Sequence, residues 1–130
     1  MDAGFHHVFA KEARDTVNPI DAYGLLVAPT GFELERVVAM AIIKTPAMPV
    51  VAGFHHVVAV YTGALVALYV DAALVGETGD PRAMNAIAST PLAGASVAGN
   101  YFHGVIDELA VYGTALGLEP IQRHYHLAGR

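Results

Sequence analysis

Glu33 and Glu35 stand two residues apart in the run Phe32-Glu33-Leu34-Glu35. On a strand that spacing puts both carboxylates on one face. Two carboxylates about 5 Å apart are what a retaining glycosidase sets across a scissile bond. A solvated strand face is the simpler expectation for this pair, and catalysis is not expected from it. Asp107 and Glu108 are adjacent, so on a strand they point to opposite faces. The seven histidines include the doublets His6-His7 and His55-His56. Neutral imidazole binds zinc, copper or nickel, but neighbours on a strand face opposite ways and offer one ligand each to a given site. His103, His124 and His126 are expected at the surface, and shared protonation near pH 6 would weaken an interface containing several of these rings. Ser89 and Ser96 lie in no Gly-x-Ser-x-Gly setting, and no phosphate-binding glycine loop is present.

The elements that must position these groups read as short strands separated by turn residues. Gly24 to Val27 and Phe32 to Val38 flank the turn Pro29-Thr30-Gly31, and Val37 to Ile43 continues as an apolar run. Lys44 to Pro49 breaks it, because two prolines cannot join a central ladder. Phe54 to Tyr61, Leu65 to Val70 and Ala73 to Glu77 follow, joined by Thr62-Gly63 and Asp71-Ala72. Val57, Ala59 and Tyr61 would share one face and Val58 and Val60 the other, as in a strand covered on both sides. A long loop from Gly79 reaches about Thr90, Leu92 to Ala95 is a short strand, and Gly99-Asn100 leads into a closing strand, Phe102 to Tyr112. One helical turn is expected near the end, with Pro120 in its first turn. Glu12 to Asp15 does not read as a strand. The hexapeptide Ala3 to Val8 recurs as Ala52 to Val57 without further similarity, so it is no solenoid repeat.

The 130 residues make one domain with room for a core, and no linker divides them. Without cysteine there is no disulfide framework and no thiolate site. Net charge −5 argues against a nucleic-acid partner, which needs a basic footprint. No export core is visible at Met1 to His7, and Asp71, Glu77, Asp80 and Arg82 interrupt the best apolar stretch, so membrane insertion is not expected. A hydrophobic fraction of 55% with 15% charged residues has two readings of equal weight. Either alanine inflates the count, or a neighbouring subunit covers apolar surface.

Residues 54 to 77, from Phe54-His55-His56-Val57 through Tyr61-Thr62-Gly63 to Leu68-Tyr69-Val70-Asp71, resemble the central hairpin of the laminin-G-like, concanavalin-A-type jelly roll. Pro91 to Ala95, the run Phe102 to Tyr112, then Ala115-Leu116 and Ile121 to Tyr125 follow in that family's order, so the likeness spans roughly residues 23 to 127. It implies an all-β, antiparallel two-sheet sandwich over residues 1–130, with the strand region 1–21 short or incomplete and open to strand donation from another chain. Phe54 replaces a usual tryptophan, and Ala72 a usual glycine, which strains that turn if it needs φ > 0. The fuller Glu-x-Asp-x-x-Glu arrangement of related glucanases is absent.

The resemblance further implies recognition rather than catalysis. Asn100, Tyr101, Phe102 and His103 are the expected ligand-binding set, while Tyr61, Tyr69 and Tyr112 are expected to fill the core. Calcium occurs in some family members, and Asp71, Asp80 and Asp107 are its candidate ligands here, with Asn85 and Asn100 as further oxygens. Asp107 as a hydrogen-bonded structural acid is the preferred alternative. The expected function is a non-enzymatic module binding a glycan or protein surface, as a subunit of a larger assembly or a self-associating protein. A decoration or tail-associated subunit of a phage particle is the alternative, and a glycoside hydrolase a distant third.

Overall fold

Gly31 follows the turn at Pro29 and Thr30 and fixes its geometry. Its φ is +130°, and a Cβ there would sit 1.8 Å from the Met48 carbonyl oxygen. The chain can pass this closely only without a side chain, which lets Phe32 and Met48 exchange two backbone hydrogen bonds of 2.8 and 3.0 Å. This contact is seen in a computed structural model that describes residues 4–14, 19–83 and 86–129.

Two antiparallel sheets and a helix form three layers. The strands are β1 (His6–Arg14), β2 (Pro19–Ala28), β3 (Gly31–Val38), β4 (Ala41–Lys44), β5 (Val57–Tyr61), β6 (Leu65–Val70), β7 (Ala73–Gly79) and β8 (Leu92–Ala93). One sheet runs β4-β3-β2-β1-β8 and the other β5-β6-β7. Phe32 meets Leu68 and Val70 in the core between the sheets, with Leu25, Val27 and Val57 packed around them. The helix α1 (Leu118–Leu127) buries Ile121 against Val60 and Ala67 on the other face of the smaller sheet. Both faces of β5 and β6 are therefore covered, which is why those strands read as unbroken apolar runs. The jelly-roll expectation of a two-sheet sandwich ending in a short helix holds.

Alternation along antiparallel partners fixes which side chains share a face. Leu26 pairs with His7 and Glu33, Gly24 with Ala10 and Glu35, and Glu35 with Lys44. This set lies opposite to the face carrying Leu25, Val27 and Phe32, so it looks away from the smaller sheet.

Several sequence expectations need correction. Residues 6–14 form β1, the strand beside β2, although Glu12-Ala13-Arg14 does not read as a strand; Glu12 and Arg14 share one side and bond each other there. Asp15 lies outside the described residues. The apolar run through Ile43 is split by a turn at Ala39 and Met40, both at positive φ. Phe54, His55 and His56 precede the strand that begins at Val57.

The largest difference is the closing strand. No residue from 103 to 117 joins a strand, and Val105, Leu109 and Val111 are 71%, 46% and 67% exposed. Glu108 at φ +51° breaks the extended run, and β8 with Tyr101 already occupies the neighbouring edge of β1. Tyr112, expected in the core, is exposed with it. The sandwich survives because Phe32, Leu68 and Ile121 carry its two packed interfaces instead.

Candidate functional site

The outward face of the five-stranded sheet carries most of the ionisable side chains of β1, β3 and β4. Glu12 and Arg14 lie two apart on β1, as Glu33 and Glu35 do on β3. Arg14 donates from Nε and Nη2 to the Glu12 carboxylate, each at 3.2 Å. The Val97 N–H adds a 2.9 Å hydrogen bond to Glu12 Oε2. Lys44, on the neighbouring strand, places its ammonium 3.5 Å from Glu33 Oε1 and 3.3 Å from Glu35 Oε2. One cation thus serves two carboxylates. Glu33 is 6% exposed, so the expectation of a solvated strand face is overturned. Flat packing between neighbouring strands, with Lys44 laid across, removes water from it.

Glu12, Arg14, Glu35 and Lys44 line an open groove of about 400 Å³ together with Phe5, His7, Leu26, Ile42 and Asn100, while Glu33 stands outside that lining. Phe5 reaches over the sheet until its ring centre is 5.2 Å from Lys44 Nζ. A Cβ on Gly24 would meet the Phe9 carbonyl oxygen at 3.0 Å and His7 Cδ2 at 3.3 Å, so the glycine leaves room for the imidazole above it. Burial holds His7 below the ordinary histidine range, against the pull of Glu12 and Glu35, and the ring is neutral at pH 7. Its buried Nδ1 has no hydrogen-bond partner in the protein. The groove combines fixed acceptors, fixed donors and an aromatic wall on rigid strands.

Of the four expected ligand residues, Asn100 lines this groove. Tyr101 is 68% exposed, while its carbonyl accepts a 2.8 Å hydrogen bond from His6 Nδ1. His103 meets the His6 ring edge-on at 5.0 Å. Phe102 is half-buried, its N–H bonded to the Gly94 carbonyl at 2.7 Å. Sequence reasoning missed Phe5, His7, Glu12, Arg14 and Lys44. The repeated i, i+2 placing of polar residues in β1 and β3 was the available signal.

The three calcium candidates are not brought together. Asp71 opens the turn before β7 and Asp80 follows that strand, so they sit at its opposite ends. Asp71 accepts from His55 Nδ1 at 2.8 Å and from the His56 N–H at 3.0 Å. Burial raises its carboxyl, but these hydrogen bonds outweigh burial and leave it below the ordinary range. Asp80 is fully buried between Arg36, at 3.1 Å, and Arg82, at 2.7 Å. Asp107 is exposed, and Asn85 lies outside the described residues. Among the described residues no group of three or more His, Cys, Asp or Glu could hold a metal ion. No helix among them is long and apolar enough to cross a membrane.

The Laminin_G_3 family model, described as the concanavalin A-like lectin/glucanases superfamily, matches residues 7–122. No curated protein matches the chain. Among solved structures, the chain is similar to a crystallised S-layer domain-containing protein (residues 221–444) from Clostridium thermocellum ATCC 27405. The identity is 18% and the TM-score 0.51, over 96% of this chain and 65% of that one, a likeness of fold.

Proposed function

The chain belongs to the Laminin_G_3 family of concanavalin A-like domains, and from that premise we propose that it is a non-enzymatic recognition module whose ligand is a glycan. The groove over the five-stranded sheet carries this reading. It offers carboxylates, an ammonium, a guanidinium and an amide side by side with the Phe5 ring, the mixture that hydroxyls and an apolar sugar face require. Asn100, Tyr101, Phe102 and His103 form its rim in this reading. Glu33 and Glu35 share one ammonium, a charge-compensated pair rather than an acid facing a base, so hydrolysis is not proposed. A glycan array probed with the purified domain tests it. Binding should appear for the wild type and be lost in Phe5→Ala and Asn100→Ala; an array silent for the folded wild type rejects the reading.

A second observation favours a structural role beside recognition. Val105, Leu109, Val111 and Tyr112, in the segment that precedes α1 in the chain, leave large apolar side chains in water, the kind of surface that another subunit covers. Assembly into a larger particle, a phage decoration or tail-associated subunit among the possibilities, is proposed on that segment.

A further inference from the structure

The carboxylate cluster around Lys44 is short of positive charge. Glu12 and Arg14 compensate each other through two hydrogen bonds. Glu33 and Glu35 have one Lys44 between them, which leaves one carboxylate in excess. Glu33 is almost shut off from water, so solvent does little to screen that excess. His7 adds no charge at neutral pH, because burial keeps its ring neutral, and its inner nitrogen has no protein partner. Within the groove, then, Glu35 has only a share of the Lys44 ammonium, the rest going to the buried Glu33 outside the lining, and there is space for a ligand of hexose size or larger.

We infer that this groove selects a saccharide carrying a free primary amine, with Glu35 as the acceptor for its ammonium, the buried Glu33 adding its charge from outside the lining, and Phe5 as the wall for its apolar face. The inference rests on the glycan reading above and names the chemical class within it. An acidic sugar would meet the excess carboxylate and be repelled. A bare divalent cation would meet the Lys44 ammonium already seated between the two glutamates. An N-acetylated sugar has the same ring but no charge to supply. An ammonium on the ring provides three donors and the missing charge together.

Calorimetric titration of the whole chain with three tetrasaccharides, of glucosamine, N-acetylglucosamine and glucose, tests the inference at near-neutral pH. The glucosamine form should bind at least about tenfold more tightly than the N-acetylated form. Glu35→Gln should erase that preference, while Phe5→Ala should weaken every saccharide alike. The wild-type comparison decides the matter even if Glu35→Gln does not fold. Equal affinity for the amine and N-acetyl forms would overturn amine selection and leave glycan recognition standing. No heat with any saccharide would overturn both.

Discussion

Asp80 and Arg82 close on each other through two hydrogen bonds, Nε to Oδ1 at 2.7 Å and Nη2 to Oδ2 at 3.1 Å. Arg36 reaches the same carboxylate from β3 and lays its guanidinium 4.1 Å from the centre of the Tyr61 ring. Arg82 also donates to the Ala41 carbonyl at 2.8 Å. One buried acid therefore ties β3, the end of β7 and the turn before β4 together. It serves the sandwich rather than the groove, although it sits in a loop where sequence suggested a calcium ligand.

Removing that acid strands Arg36 without a counterion. Asp80→Asn should cost about 3–5 kcal/mol of stability, the usual penalty for breaking a buried pair. The Arg82 hydrogen bonds hold the Asp80 carboxyl below its ordinary range despite burial. A depressed acid stabilises above its unfolded pKa and loses that contribution as pH falls through the folded one. Denaturant midpoints should fall in acid for the wild type and less so for Asp80→Asn. An unchanged midpoint in the variant at neutral pH would refute the ion-pair account.

Ala72 follows Asp71 in the turn between β6 and β7, at φ +64° after +51°. A two-residue hairpin turn with both φ values positive favours glycine at its second position. Ala72→Gly should stabilise the domain by about 0.5–1 kcal/mol, a rise in Tm of roughly 2–5 °C. A lower Tm would mean that the alanine side chain contributes packing that outweighs its strain.

Gly31 and Gly63 separate conformation from space. A side chain on Gly31 collides with the Met48 backbone, while one on Gly63, at φ +90°, meets nothing within 4 Å. Gly31→Ala should lose on the order of 3 kcal/mol or fail to fold, and Gly63→Ala only about 1 kcal/mol. Comparable thermal melts for the two would contradict the close approach at Met48.

Light scattering tests the exposed segment before α1. The wild type should exceed its monomer mass at micromolar concentration, and Leu109→Glu with Val111→Glu should restore the monomer without altering the circular dichroism spectrum. A wild-type monomer at every concentration would remove the assembly proposal.

Much of this was legible before any coordinates. Val57 to Tyr61 announced a strand covered on both sides, because side chains on each face are apolar, and Ile121 proved to be what covers one of them. Ala72 stood out as a non-glycine in a turn that wanted one, and it is left-handed. The run Phe102 to Tyr112 misled for a definable reason: alternation reports how a segment could pair, not whether a partner edge is free. The groove was hidden for another. Glu33 and Glu35 share a face on sequence spacing alone, but only the register β3–β4 brings Lys44 between them, and only β2 brings His7 and Glu12 alongside.

Gly24 leaves bare main chain beneath the His7 imidazole. The depth of the cleft is thus set by an atom that is missing, and the smallest possible enlargement, one methyl, would press on the ring and raise the floor. Ligand size could be retuned here by altering one uncharged residue, with the ionic fittings of the walls untouched.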